Sequence, residues 1–379
     1  MTADRWRWRG TVALTGVALA FCLLPLIPQV DPINSDWPAF ATGARLIVEN
    51  PSHLYDFEAQ RKTELAVTNG RVLITLGIHG ILPFLAPAWV ALVAVPFELA
   101  GSDVGGRLWM LFGLACFGLG LYLAVRPRAP AAILPAFATL PTALMLLNAQ
   151  LGGLVALGIG AALALWNRPY VAGLALGLTL VKPQLVVPIG FGLLITRRWR
   201  VIAGWATAGV ALLAVTLLLN PRWVFDWLPA LSTPVRAGSR EVDLAHFGTA
   251  FPDQLQLYGV VLLSLFALGG TLVMAIRCRH NFRAAAAVLV AGGVLAAPHA
   301  LPADLVLVAL ALAIWGEATW IEWLALSLGA AVAAIAPAPY PAVAGVVLVL
   351  WLLFRMVRLR ESARQGAASA PGAKEPSST

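Results

Sequence analysis

The stretch Ile33-Asn34-Ser35-Asp36-Trp37-Pro38-Ala39-Phe40 decides how the rest of the chain is read. It stands just past the first long apolar run, residues 11–29, and sets a carboxylate where apolar sequence first gives way to water. Arg5, Arg7 and Arg9 precede that run. Short basic flanks mark the cytoplasmic side of a membrane span, so the run crosses outward and delivers Asp36 to the outer face. No small-residue cleavage site follows, which makes the run an uncleaved first helix rather than a signal peptide.

Composition points the same way. Of 379 residues, 60% are hydrophobic and 12% are charged, whereas roughly a quarter of a soluble domain is charged. Mean hydropathy is +0.83. A soluble globular protein is excluded. The net charge of +8 lies mostly in short gaps between apolar runs, where it encodes orientation, so no nucleic-acid partner is expected. Cys22, Cys116 and Cys278 form neither a CxxC motif nor an extracellular pair, so neither a disulfide framework nor a zinc site is expected. No short acidic motif faces outward to hold another metal, and no cofactor is implied.

Carried along the chain, the same charge rule yields about twelve spans. Residues 80–99 are apolar but punctuated by Pro83, Pro87 and Pro96. A full crossing there would expose Arg126, Arg128 and Arg168, so the segment reads as an interfacial helix on the outer face. The crossings that follow are 106–125, 131–147, 151–166, a pair over 170–196 broken at Lys182-Pro183, 201–219, 257–276, 284–297, 303–316, 320–336 and 340–354. The expected fold is an all-α polytopic bundle over residues 1–356. Its outer loops are 30–105, with two juxtamembrane helices, and 220–256. Residues 357–379, rich in Ala, Ser, Gly and Pro, read as a disordered cytoplasmic tail.

On this topology potential chemistry collects at the outer side. Asp36 and His79 lie in the first loop, Asn148 and Gln150 between two spans, and Lys182 and Gln184 at the proline break. Asp226, Arg236, Arg240 and His246 lie in the second loop, and His299 precedes Asp304 at a later helix start. Each has a plainer reading. Asp36 suits a solvated loop, and Lys182 could snorkel from a broken helix end. Asn148 and Gln150 could satisfy helix-end carbonyls, and His299 could simply begin a helix.

The set as a whole resembles a known family. Ser35-Asp36-Trp37, Ala44-Arg45, Asn50-Pro51 and Leu54-Tyr55-Asp56 are similar to the opening motif of glycosyltransferase family 87. That motif has an Asp-aromatic pair, an Ala-rich helix and a Gly- or Asn-x-Pro-x-Tyr-Asp turn. His79-Gly80-Ile81-Leu82-Pro83 resembles its Tyr-Pro-Pro-Leu element with the proline pair missing. Asn148-Ala149-Gln150 resembles its Gly-Gln-Val-Asn break, with the glycine replaced and the last Asn absent. Leu180-Val181-Lys182-Pro183-Gln184 and Ala297-Pro298-His299…Asp304-Leu305 match its Leu-Lys-Pro and Ser-Pro-His…Asp-Leu elements. The resemblance runs over residues 30–310 in order and spacing.

The resemblance implies a GT-C membrane fold and transfer of a sugar, mannose in the family's phosphatidylinositol-mannoside enzymes, from a polyprenyl phosphate. The acceptor would be an extracytoplasmic glycolipid or polysaccharide. It assigns the family's catalytic carboxylate to Asp36, with Asp31 as the nearest rival. Such a donor carries its own leaving group, so the reaction needs a base for the acceptor hydroxyl and positive charge at the phosphate. Lys182, His299 and Gln184 are then candidates for the phosphate, and His79, Asn148, Gln150 and Asp304 for the substrate. A second reading pairs Lys182 structurally with Asp304. A transporter or lipid-linked-sugar flippase is the competing class, since broken helices at mid-membrane are its signature too. The long first outer loop favours the transferase.

Overall fold

A computed structural model of the chain describes residues 2–71, 73–75, 78–126, 130–232, 255–335 and 340–368. The first apolar run forms α1 (Thr2–Leu23), ended by a 3-10 turn with Pro25 inside it. The first loop then carries three helices rather than two: α2 (Trp37–Glu49), α3 (Phe57–Val67) and α4 (Ala88–Glu98). Between α3 and α4 lies an antiparallel hairpin, β1 (Leu73–Thr75) on β2 (Ile78–Gly80), an exception to the expected all-helical chain. Asp56 caps α3 by accepting from the Glu58 and Ala59 amides, which is why the helix starts there.

The apolar remainder gives α5 (Ser102–Val125), α6 (Pro130–Phe137), α7 (Leu140–Leu147), α8 (Gly152–Ala164) and α9 (Pro169–Leu176). Then come α10 (Val187–Ile195), α11 (Trp199–Leu219), α12 (Trp223–Ser232) and α13 (Gln256–Arg277). The chain closes with α14 (Phe282–Ala296), α15 (Val306–Trp315), α16 (Trp320–Ile335) and α17 (Tyr340–Ala368). Among the described residues three helices are long and apolar enough to cross a bilayer alone: α5, α11 and Tyr258–Arg277 of α13. The other apolar stretches, among them Gly10–Leu26 over α1 and its closing turn and Val343–Val357 within α17, run to 10–17 residues, and prolines and polar breaks divide several of them. The span expected at 131–147 is split where Thr139 precedes Pro141. The expected tail is partly helical: α17 continues to Ala368, and residues 369–379 lie outside the described residues.

Glycines set the central packing. α5 and α8 run parallel, and a Cβ built on Gly153 would lie 2.0 Å from the Gly113 carbonyl oxygen. One built on Gly160 would lie 2.1 Å from that of Gly120. Both helices thus repeat glycine at a seven-residue interval along one contact line, the small-residue approach that close membrane packing uses. Overpacking such a seam costs about 1–3 kcal/mol. Gly153→Ala or Gly160→Ala should therefore lower the thermal midpoint of the purified protein. Gly269→Ala, with nothing within 4 Å of its Cβ, should leave it unchanged.

The two ends of the bundle differ in chemistry. At one end, Arg283 donates to the Arg126 carbonyl at 3.3 Å. There too Trp166 packs on Phe282 with centroids 4.7 Å apart, and the Arg198 guanidinium lies 5.5 Å from the Trp166 ring centre. The basic loops at 126, 168, 198 and 283 therefore share one end. The breaks that carry Asp36, Gln150, Lys182 and Asp304 meet at the other.

Candidate active site

Four helix ends converge on one buried chain of polar groups. α7 closes with the Ala149 amide donating to Leu146 O and the Gln150 amide to Met145 O, at 3.0 and 2.9 Å. This is the Schellman pattern, which puts the penultimate residue in the left-handed region. Ala149 has φ +52°, where glycine would sit without strain. Its carbonyl is gripped by Trp109 Nε1 at 2.9 Å. Backbone amides thus satisfy the helix end, and the Gln150 side chain is released for other work.

That side chain is a bridge. Gln150 Nε2 donates to Asp36 Oδ2, and Gln150 Oε1 accepts from Lys182 Nζ. An amide between an anion and a cation has only this orientation, with NH₂ toward the carboxylate and oxygen toward the ammonium. Lys182 Nζ also pairs with Asp304 Oδ1 at 2.7 Å. Asp304 Oδ2 accepts from the Leu301 amide at 3.0 Å. The order is Asp36, Gln150, Lys182, Asp304, across four separate segments.

Local structure explains each placement. Ser35 Oγ accepts from the Trp37 amide at 3.2 Å, so the start of α2 is capped without the Asp36 side chain. The Asp36 amide donates to Asn148 O at 3.3 Å, tying the loop to the α7 end. Trp37 is fully buried against Trp109, 5.8 Å between centroids, and donates from Nε1 to Ser102 O at 2.8 Å. Trp109 lies seven residues into α5, roughly 10 Å along the helix, so the bridge is recessed by that depth. Lys182 sits between two 3-10 turns, Gly177–Val181 and Pro183–Val186. Trp89 of α4 holds that break by donating to Leu180 O at 3.0 Å.

Burial is graded along the chain of groups. Asp304 is 1% exposed, whereas Asp36 is half-buried and the Lys182 side chain is 13% exposed. Of the three N–H groups of the Lys182 ammonium, Gln150 and Asp304 take two; the third has no partner among the described residues. Asp31, the rival carboxylate, caps a 3-10 turn through Ile33 and pairs with Arg71 at 3.2 Å.

Of the other expected site residues, Asn148 is tied to this core by a hydrogen bond from the Asp36 amide to its backbone carbonyl, and it is half-buried. Gln184 is half-buried one residue past Pro183. His299 is exposed on the same α14–α15 connection as Asp304. His79 pairs with Ile74 in the hairpin, and its side chain lies outside the described residues. Asp226 is half-buried on α12, whereas Arg236, Arg240 and His246 lie outside the described residues.

Nothing in the sequence singled out Glu64 or the aromatic lining. Glu64 is 3% exposed, accepts from the Leu82 amide at 3.1 Å, and has no partner for Oε2 among the described residues. Burial pushes its carboxyl up to about 8 from an ordinary value of 4.5. Between those values the folded protein keeps a proton that the unfolded chain releases, so stability falls as pH rises from about 4.5 to 8. Thermal unfolding across that window should show the decline, and Glu64→Gln should flatten it. An unchanged slope would mean that other groups set the pH dependence.

The sequence model of glycosyltransferase family 87 matches residues 84–302. The chain belongs to glycosyltransferase family 87. The matched residues hold Asn148, Gln150, Lys182, Gln184 and His299. Asp36 and Asp304 fall outside the match, and hydrogen bonds join them to it. No curated protein and no solved structure matches the chain significantly. The protein is thus a glycosyltransferase built from apolar membrane helices, using a sugar donor and an acceptor.

Proposed function

We propose that this family 87 transferase moves a sugar, mannose by family resemblance, from a polyprenyl phosphate to an extracytoplasmic glycolipid or polysaccharide, with Asp36 as the base. The observation that carries the reading is the Gln150 bridge, which holds a half-buried carboxylate and an ammonium in one recessed site. In a single displacement, Asp36 takes the proton of the acceptor hydroxyl. The acceptor oxygen bonds the anomeric carbon as the carbon–phosphate-oxygen bond breaks. The electron pair leaves on the polyprenyl phosphate, and the anomeric centre inverts.

Lys182 faces the charge that grows on the phosphate with its third N–H, a charge-assisted contact. Asp304 stands behind it as counter-ion rather than touching substrate. Gln184 and the exposed His299 flank the phosphate position. The basic loops at the opposite end support a site on the outer face of the cytoplasmic membrane, with both termini inside.

Purified protein in proteoliposomes should transfer sugar from a polyprenyl-phosphate-linked donor and not from a nucleotide sugar. Transfer from the nucleotide sugar alone would defeat the donor class. Movement of the lipid-linked sugar across the bilayer without transfer would favour a flippase.

A further inference from the structure

At the end of the bundle opposite the site, α9 and α11 begin side by side at a shallow, wide-open cavity of about 360 Å³. It is lined by Arg168, Pro169, Tyr170, Val171 and Arg200. The two helices touch through glycine: a Cβ on Gly173 would lie 2.0 Å from Val201 O, and one on Gly204 2.0 Å from Tyr170 O. Arg168 holds the N-cap position of α9, and Arg200 is the second residue of α11. Positive charge at a helix N-terminus opposes the macrodipole. Neither arginine has a carboxylate partner among the described residues. Two exposed guanidiniums and two positive helix ends therefore line one cavity, where an anion would meet all four.

The surface beside the cavity is apolar, which suits an anion carried on a lipid. Val171, Leu174 and Leu178, at spacings of three and four, form an exposed apolar stripe along α9 and the 3-10 turn that continues it. Tyr170, also exposed, donates to Thr207 Oγ1 at 3.1 Å and sits between the charged and apolar parts. Tyrosine prefers that boundary at a membrane surface. A phosphate beside the arginines with chains along the stripe is the shape of an anionic phospholipid.

We infer that the α9–α11 cavity binds the phosphate headgroup of an anionic phospholipid through Arg168 and Arg200. This site is separate from the transfer site and does not depend on how that site is read. The full-length protein in phosphatidylcholine nanodiscs can be titrated with phosphatidylglycerol, following bound lipid by native mass spectrometry and the thermal midpoint. Arg168→Gln/Arg200→Gln should weaken phosphatidylglycerol binding at least about tenfold, the scale of losing charge-assisted bonds. It should also abolish the lipid-dependent rise in midpoint. Arg277→Gln/Arg279→Gln removes the same charge elsewhere at the basic end and should leave binding unchanged. Equal loss in both double variants would mean a diffuse surface potential and overturn the site. So would wild-type binding in the Arg168/Arg200 variant, or equal protection by inorganic phosphate alone. Should the glutamine variant not fold, Arg168→Lys/Arg200→Lys keeps the charge but loses the fork-shaped contact. It should bind with reduced affinity, and wild-type affinity there would also count against the assignment.

Discussion

Asp36→Asn should abolish sugar transfer while leaving the protein folded and able to bind its donor. The substitution is nearly isosteric, and the asparagine oxygen still accepts from Gln150 Nε2, so the bridge to Lys182 survives. What disappears is the group that takes the acceptor's proton. Loss of a general base costs about 10²–10⁴-fold in rate, and the loss should fall on kcat with little change in donor KM. Asp31→Asn is the control, because Asp31 is engaged by Arg71 and a turn amide. It should retain most of the activity. An active Asp36→Asn beside a dead Asp31→Asn would reverse the assignment.

The second large effect is at Lys182. Lys182→Gln leaves Asp304, 1% exposed, with only the Leu301 amide as partner among the described residues. Breaking a buried pair by removing one member typically destabilises by about 3–5 kcal/mol, so the single variant should unfold at a lower temperature. Lost activity alone would therefore not distinguish phosphate binding from packing. The double variant Lys182→Gln/Asp304→Asn does. It removes both charges, and the oxygen of the introduced asparagine still accepts from the Leu301 amide, so much of the stability should return. Donor KM should stay raised by roughly 10–150-fold, the value of one charge-assisted hydrogen bond. Recovery of both stability and donor KM in the double variant would make Lys182 structural.

Much of this architecture was legible because membrane sequence exposes its polar residues. A lysine in an apolar run needs an anion; a donor phosphate is the first expectation and Asp304 the rival partner, and the pair with Asp304 is formed. Asp36 stood out as the first outer carboxylate followed by an aromatic residue, and Trp37 proves to be its buried anchor. The bridge between them was not legible. Gln150 and Asp36 are 114 positions apart, and pairing over such a distance leaves no local pattern. Helix-end chemistry correctly placed Asn148 and Gln150 at a break, but it could not show that backbone amides would satisfy that end and free the glutamine.

The hairpin at 73–80 escaped because each strand is only three residues long, too short for an alternating pattern to register. Low complexity marks the tail as a whole, yet Arg358 to Ala368 holds three arginines and three alanines, which are strong helix formers. α17 therefore continues beyond its apolar part. Glu64 was hidden among other loop carboxylates, since only packing separates a buried one from the exposed Glu58.

The central claim is that one chain of groups, from Asp36 through Gln150 to Lys182, holds both the base and the phosphate contact. A structure of the protein with a non-transferable polyprenyl-phosphate sugar analogue tests it directly. The phosphate oxygen should lie within about 3 Å of Lys182 Nζ, with the anomeric carbon turned toward Asp36. A phosphate bound among the arginines at the opposite end, with the Lys182 site empty, would contradict it.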